Sequence, residues 1–128
     1  RAESRRAEDY AKKQRHAQAA AIHAFCASLL GLDAQARLIV AGDLNDAPGS
    51  KTLDLLKGAR LANLLDELPR HARYTHRHGR QPATLDHVLV SPALRPAQVQ
   101  VLHVHSDAAA PLPSDHDPVL IDFAPAIP

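Results

Sequence analysis

Large aromatic side chains and cysteine are scarce in this sequence. It has no Trp and no Met, two Tyr, two Phe and one Cys among 128 residues. Leu, Val, Ile and Ala must therefore build the core, and the lone Cys26 cannot form a disulfide within the chain, which leaves the redox compartment open. No apolar run approaches the roughly 18 residues that a membrane-spanning helix requires, so no membrane span is predicted.

An excess of either charge is also absent. Fifteen Lys and Arg face 14 Asp and Glu, which gives a net charge of +1. This balance is too even to attract polyanions in general, so any affinity for nucleic acid must be local. The length and the hydrophobic share of 45% are those of one globular domain, which Pro125 and Pro128 are expected to close. A disordered tail, a collagen and a coiled coil are excluded.

The order of helix and strand signals favours an α/β fold with a mixed β-sheet and flanking helices. A long amphipathic helix is predicted over residues 7–30, because no Pro or Gly interrupts it and Gly31 supplies a stop. Ser50 can cap a short helix that ends at Gly58, and residues 61–68 can add another turn. Strands are predicted at residues 38–41, at the paired segments 73–76 and 84–91 around a turn at 78–80, at 99–104 and at 119–123.

Three polar clusters stand where apolar strands meet loops, which is where α/β proteins place their sites. They are GDLND at residues 42–46, LDH at 85–87 and SDHDP at 114–118. Asp43 and Asn45 lie two apart, so in extended backbone both side chains point to one side, where one can bind a cation while the other donates to a phosphoryl oxygen. Few carboxylates and no Cys pair suit Mg²⁺ or Mn²⁺ rather than a structural zinc, and indicate hard-metal phosphoryl transfer.

Each of these features alone also has an ordinary structural explanation. An Asp-x-Asn after a strand is common turn chemistry, and Asp117 before Pro118 is an ordinary turn. His87 should face away from Asp86 on a regular strand, as a packed or solvent-facing residue. Only the ordered combination of the three clusters favours a site.

Other polar residues leave alternatives open. His103 and His105 can chelate a transition metal as an i, i+2 pair, although an exposed strand face is the simpler interpretation. The Arg- and His-rich stretch at residues 70–80 can track a nucleic-acid backbone or form a solvated hairpin tip. Cys26 lies on the apolar stripe of the first helix and is expected to be a buried, unreactive thiol.

The motifs VAGDLND (residues 40–46), LDHVLVSPAL (85–94) and SDHDPV (114–119), in this order, resemble the C-terminal half of the endonuclease/exonuclease/phosphatase family. The stretch at residues 61–74 further resembles the branch of secreted bacterial nucleases related to DNase I. That branch implies a secreted or cell-envelope location. The family implies Mg²⁺ or Mn²⁺ as the cofactor, with Ca²⁺ as a further candidate.

Roles follow from the resemblance position by position. Asp43 corresponds to the aspartate that orients or deprotonates the attacking water, and Asn45 to the residue that holds the phosphate or nucleophile. His116 corresponds to the histidine that contacts the scissile phosphate, and Asp86 to the carboxylate that pairs with it. Asp115, together with Asp43, is the expected metal ligand. Which residue acts as the general base stays open.

The family fold is a four-layered αββα sandwich of two similar halves, and residues 1–128 resemble only the second half. The strand-borne metal-binding Glu of the first half cannot be located in the sequence. We therefore expect a fragment that is inactive alone and lacks its N-terminal half as a partner. Its exposed sheet face is expected to favour self-association.

The sequence thus predicts a metal-dependent phosphodiesterase, with a nuclease cutting DNA or RNA as the leading hypothesis. One alternative is a phosphatase that acts on a phosphomonoester, an inositol phosphate or a lipid headgroup. Another is a non-catalytic structural or interaction domain that keeps the motifs as scaffold.

Overall fold

A computed structural model describes residues 1–106 and 113–124, apart from the side chain of His78. Pro125 and Pro128, expected to close the domain, lie outside the described residues. The helices and strands are α1 (Ala2–Leu32), β1 (Ile39–Asp43), α2 (Lys51–Lys57), β2 (Ala62–Asn63), β3 (His76–His78), β4 (Gln81–Ala83), β5 (Asp86–Val90), β6 (Ala97–Val101) and β7 (Val119–Phe123). Short 3₁₀ helices cover Leu64–Glu67, Arg70–Ala72 and Pro92–Leu94.

The capping prediction for α2 is confirmed, whereas the stop predicted at Gly31 is wrong, because α1 continues through Gly31 to Leu32 and its C-cap is Asp33. α1 contains the predicted segment 7–30 and extends it at both ends. In α2, the Ser50 hydroxyl accepts a hydrogen bond from the Leu53 N–H at 3.2 Å, and Gly58 ends the helix with a left-handed φ of 52°. The helices pack on each other where His23 Nδ1 of α1 donates to the Leu56 carbonyl at 3.1 Å. Within the described residues, neither helix is apolar enough over a sufficient length to cross a membrane.

The expected mixed sheet is wrong, because every strand pair among the described residues is antiparallel. The strands form a three-stranded sheet in the order β1-β5-β2 and two hairpin-like pairs, β3-β4 and β6-β7. β1 and β2 run in the same direction and are linked through α2, as in a parallel unit. β5 lies between them and pairs with both, so neither has a parallel neighbour.

The predicted pairing of residues 73–76 with 84–91 is also wrong. The Arg73 guanidinium donates to the carbonyls of Leu68 and Asp66, both at 2.6 Å, and holds this segment in a turn. The strand starts only at His76 and pairs with β4, while β5 belongs to the three-stranded sheet. The turn predicted at residues 78–80 is confirmed, with Gly79 at a φ of 61°.

The predicted strand at residues 99–104 is wrong beyond Val101, where β6 ends. The Asp117 carboxylate accepts hydrogen bonds from the backbone N–H groups of His105 and Ser106, at 3.0 and 2.8 Å. These bonds turn the chain away from the direction of β6. The final strand, Val119–Phe123, has the predicted bounds.

Alternating side chains of β5 separate two hydrophobic clusters. Leu89 packs with the helices, in a cluster with Cys26, Leu53 and Leu56. Val88 and Val90 point to the opposite face, which β6 and β7 cover. Because side chains alternate along a strand, Asp86 at the start of β5 lies on the face of Val88, at the rim of the second cluster.

Candidate active site

Two carboxylates face each other at one end of the three-stranded sheet. Asp43, the last residue of β1, is the direct cross-strand partner of Asp86, the first residue of β5. Like charges directly opposite one another destabilise a sheet, so this pair calls for a cation. His116 provides one: its Nδ1 donates to Asp86 Oδ2 at 2.7 Å, and its Nε2 lies 3.8 Å from Asp43 Oδ2.

Local hydrogen bonds fix the orientation of the His116 ring. The Ser114 hydroxyl accepts from the His116 backbone N–H at 3.1 Å, and His116 forms an isolated antiparallel bridge with His76. Because Nδ1 is committed to Asp86, Nε2 points toward the carboxylates of Asp43 and Asp115, the second at 3.9 Å. The ring therefore presents one nitrogen to the open side of the site.

The surrounding carboxylates favour the protonated imidazole. The hydrogen bond from His116 to Asp86 raises the pKa of His116, against an opposing effect of desolvation. The negative charges of Asp86, Asp43 and Asp115 raise it further. His116 is thus an imidazolium over a wider pH range than an isolated histidine.

Thr75 positions Asp86, and sequence reasoning missed it. Its side chain is fully buried, and Oγ1 accepts hydrogen bonds from the backbone N–H groups of Leu85 and Asp86, both at 3.1 Å. The Thr75 carbonyl also accepts from the Asp117 N–H at 2.7 Å. One residue therefore ties the start of β5 to the segment that carries His116.

Asp115 and His76 extend the cluster on its exposed side. His76 Nε2 lies 3.1 Å from Asp115 Oδ2, and the hydrogen bond lowers the pKa of Asp115, helped by a backbone hydrogen bond. The Asp115 side chain is 76% exposed, whereas that of His76 is 16% exposed. In the sequence His76 was part of the basic stretch and the last residue of the predicted strand at 73–76, and nothing there marked it as a neighbour of Asp115.

Asn45 does not lie in extended backbone, so the geometry expected for Asp43 and Asn45 is wrong. Asn45 has a φ of +52°, and its backbone N–H donates to Asp43 Oδ1 at 3.0 Å. The chain turns immediately after β1, which removes the alternation that the expectation required. Asn45 contacts the site through its backbone, and it leaves Asp43 Oδ2 to face His116.

Carboxylates suit a hard divalent cation, but Asp43 and Asp115 fall in two separate groups of potential ligands, one with Asp86 and His116 and one with His76 and His116. Mg²⁺ is commonly held by one or two carboxylates and keeps several waters. Asp43 and Asp115 each bring an oxygen within 4 Å of His116 Nε2, and their side chains are 41% and 76% exposed. No glutamate joins the potential metal-ligand clusters in the described part of the chain. Glu67 instead accepts a hydrogen bond from Arg95 at 2.7 Å.

The other polar residues singled out in the sequence serve packing. His87 is 1% exposed and faces away from the site. Its Nε2 donates to the Asp46 carbonyl, and its Nδ1 accepts a hydrogen bond from the Asn63 side-chain amide. His103 contacts Asp117 and stacks on Tyr74, so the chelating pair with His105 is not formed. Neither His103 nor His105 lies on a strand. Cys26 is buried as expected, and desolvation raises the pKa of its thiol.

The candidate site is thus a histidine held between opposed carboxylates at a strand end. The family model described as Endonuclease/Exonuclease/phosphatase family matches residues 9–116, so the chain belongs to that family. Its members are generally metal-dependent hydrolases of phosphoesters. Comparison with curated proteins and with solved structures gave no significant match. The matched range includes Asp43, Asp86, Asp115 and His116.

Proposed function

We propose that this site hydrolyses phosphodiester bonds in DNA or RNA with the help of a divalent cation. The observation that carries the proposal is the His116 imidazole, which donates to Asp86 at 2.7 Å beside Asp43 and whose pKa that hydrogen bond raises. An imidazolium fixed in this way stabilises negative charge that develops on a phosphoryl oxygen. Its second nitrogen faces the side of the site that is open to substrate.

The remaining residues divide the work in this proposal. Asp43 orients or deprotonates the attacking water with Oδ2, while Asn45 fixes the other oxygen of that carboxylate and assists at the phosphate. Asp115 and Asp43 hold Mg²⁺ or Mn²⁺, with Ca²⁺ as a further candidate. When bound, such a cation neutralises charge on the phosphoryl group and its leaving oxygen.

The surface next to the site supports a polymeric substrate over a small phosphomonoester. The β3-β4 hairpin starts at His76 in the site, and its turn carries the exposed Arg80. At a rise of about 3.3 Å per strand residue, Gly79 at the turn lies roughly 10 Å from His76. A basic tip at that distance reaches a neighbouring phosphate of a nucleic acid, whereas a small substrate ends before it.

We further propose that efficient turnover needs a complementary half of the domain, as the family resemblance implies. Among the described residues, Asp43 and Asp115 are the exposed carboxylates that lie within 4 Å of His116 Nε2. Asp86 is committed to His116. The resemblance implies that the first half of the family fold supplies a further metal-binding Glu, so we expect negligible turnover from the 128-residue chain alone.

Hydrolysis assays test the proposal. The chain, alone and together with any sequence that precedes it in its reading frame, should be given plasmid DNA, single-stranded RNA and p-nitrophenyl phosphate in the presence of MgCl₂. We expect cleavage of a nucleic acid, and a loss of roughly 10²- to 10³-fold in His116→Ala, because removal of one donor that stabilises developing negative charge typically costs that much. His71→Ala, at an exposed histidine outside the cluster, is the matched control.

The outcomes separate the candidate functions. Hydrolysis of p-nitrophenyl phosphate alone would replace the nuclease with a phosphatase. Folded protein without activity on any substrate would favour a non-catalytic domain. Undiminished activity in His116→Ala would refute the role of this histidine.

A further inference from the structure

A second group of potential metal ligands shares His116 with the site but differs in its chemistry. His76, Asp115 and His116 each offer one ligand atom, and these atoms lie within 4.8 Å of one another. Two of the three donors are imidazoles. Hard cations such as Mg²⁺ prefer oxygen ligands, whereas imidazole suits zinc and other divalent transition ions.

We propose that His76, Asp115 and His116 form a binding site for a borderline divalent transition ion, with Zn²⁺ as its representative. His76 Nε2 lies 3.1 Å from Asp115 Oδ2, and His116 Nε2 lies 3.9 Å from Asp115 Oδ1. Ligand atoms on a tetrahedral zinc with bonds of about 2.0–2.1 Å are about 3.3 Å apart. The spacing between His76 and Asp115 is close to this value, the spacing between His116 and Asp115 is wider, and all three ligand atoms lie within 4.8 Å of one another.

Asp115 can close the remaining gap. Its side chain is 76% exposed, so it can rotate without disturbing packed neighbours. The two imidazoles are already gathered, with ring centroids 4.9 Å apart and an isolated backbone bridge between their residues. Rotation of the Asp115 side chain and of the two rings is the movement that the proposed site requires.

The environment of His116 supplies an independent argument. Histidines that bind a metal almost always donate their other ring N–H to a carboxylate, a carbonyl or a water, which fixes the tautomer and the ring orientation. His116 donates Nδ1–H to Asp86 at 2.7 Å and presents Nε2 to Asp115. Because the cluster is open to solvent on the Asp115 side, a water can complete the coordination, as in zinc sites with three protein ligands.

Occupation of His116 Nε2 by an ion is incompatible with the imidazolium used in the proposed hydrolysis. A site of this kind would therefore make zinc an antagonist of Mg²⁺-supported turnover. The zinc site itself rests on the geometry of the three side chains and stands even if the proposed hydrolysis fails.

Calorimetric titration of the protein with ZnCl₂ tests the site, and visible absorption of bound Co²⁺ serves as a second probe. We expect one high-affinity ion per chain. His76→Asn should weaken binding by at least the roughly 10- to 100-fold that the loss of an outer-shell partner typically costs. His71→Asn, at an exposed histidine, should bind as the wild type does. Millimolar MgCl₂ should not displace the zinc.

Two further variants keep the test decisive if His76→Asn does not fold. Asp115→Asn alters the most exposed ligand and should weaken binding without loss of structure. Asp86→Asn removes the partner of His116 Nδ1 and should cost roughly 10- to 100-fold in affinity. Wild-type affinity in both His76→Asn and Asp115→Asn, or equal loss in His71→Asn, would overturn the proposal, as would the absence of zinc binding by the wild type.

Discussion

Asp115 and Asp117 stand two residues apart, yet their surroundings are opposite. The Asp115 side chain is 76% exposed, with His76 at 3.1 Å and His116 at 3.9 Å. The Asp117 side chain is 0% exposed, and it accepts hydrogen bonds from the Ser106 hydroxyl, the backbone N–H groups of Ser106 and His105, and His103. Asp117 has no capacity left for a ligand, whereas Asp115 has most of its capacity free.

His103, which contacts Asp117, and His116, which lies beside Asp115, show the same contrast. His103 places Nδ1 on Asp117 and Nε2 on the Ala72 carbonyl, and it stacks on Tyr74 with ring centroids 3.8 Å apart. His116 is fixed by Asp86 through Nδ1, and its Nε2 meets carboxylates only at 3.8 and 3.9 Å. A histidine–carboxylate pair therefore stabilises the fold where both ring nitrogens have hydrogen-bond partners, as in His103. It leaves a nitrogen available for a ligand where only one has a partner, as in His116.

The largest effect expected from this contrast is the loss of stability in Asp117→Ala. Removal of the buried carboxylate leaves several donors without an acceptor, and breaking a buried charged pair typically costs about 3–5 kcal/mol. We expect the free energy of unfolding to fall by about that amount, as measured by urea denaturation followed by far-UV circular dichroism. Asp115→Ala is the matched control and should change stability by no more than about 0.5 kcal/mol.

Equal destabilisation by the two substitutions would contradict the comparison. It would mean that Asp115 is as well bonded in the folded protein as Asp117 is. A small effect of Asp117→Ala would instead show that the donors from residues 105–106 find other acceptors, and that the turn after β6 does not depend on Asp117.

Local chemistry made parts of this fold predictable. Ser50 and Gly58 bound α2 because a hydroxyl cap and a left-handed glycine act over three or four residues. The strand at residues 119–123 follows Pro118, and a proline favours extended backbone at the residue that precedes it. The pairing of β5 with β1 and β2 depends on segments far apart in the chain, and no local pattern encodes it.

For the candidate site, the sequence likewise marked individual residues but not how they come together. Asp43, Asp86 and His116 each stand at a junction of strand and loop, which directed attention to them. Their convergence depends on the register that sets Asp43 opposite Asp86. Asp117 has the sequence context of an ordinary turn residue, because its burial results from donors at positions 103–106. Thr75 gave no signal, since a hydroxyl that accepts two backbone N–H groups looks like any other threonine.

A smaller loss of stability is expected in Thr75→Val, because Thr75 connects the start of β5 to the segment that carries His116. Thr75→Val keeps the shape of the side chain but leaves the N–H groups of Leu85 and Asp86 without their acceptor. A buried group that loses its partner costs about 1–3 kcal/mol, so the free energy of unfolding should fall by about 2 kcal/mol. Because Asp86 becomes less well fixed, the pKa of His116, followed by NMR titration, should move toward its ordinary value.

Thr84→Val, at a half-buried threonine nearby, is the control for the loss of a hydroxyl and should leave the pKa of His116 in place. A lower stability in Thr75→Val with an unchanged pKa would show that Thr75 supports the fold alone. A shifted pKa with normal stability would show that it acts on the site alone. Either result would separate the two regions that the structure joins at this residue.

The smallest effect is the pH dependence of stability, in which the two histidine–carboxylate pairs should behave oppositely. Asp86 raises the pKa of His116 above its ordinary 6.5, so the folded protein binds the proton more tightly than the unfolded chain. The stability from this pair is fully present below pH 6.5 and is lost as the pH rises through the raised pKa. For Asp117, desolvation opposes ionisation, but the hydrogen bonds from Ser106, His103 and His105 outweigh it and lower the pKa below 3.8. Its stability is present above pH 3.8 and is lost as the pH falls.

Urea unfolding of the wild type and of His116→Gln between pH 5 and pH 9 isolates the first pair. The advantage of the wild type should be greatest below pH 6.5 and should shrink as the pH rises, because only protonated His116 gains from Asp86 and Asp43. The contribution of Asp117 stays constant over the same interval, since its carboxylate is ionised in the folded and unfolded states alike. An advantage that grows with pH would mean that the site favours the neutral imidazole. That result would remove the cationic charge on which the proposed hydrolysis depends, while the buried pair around Asp117 would be unaffected.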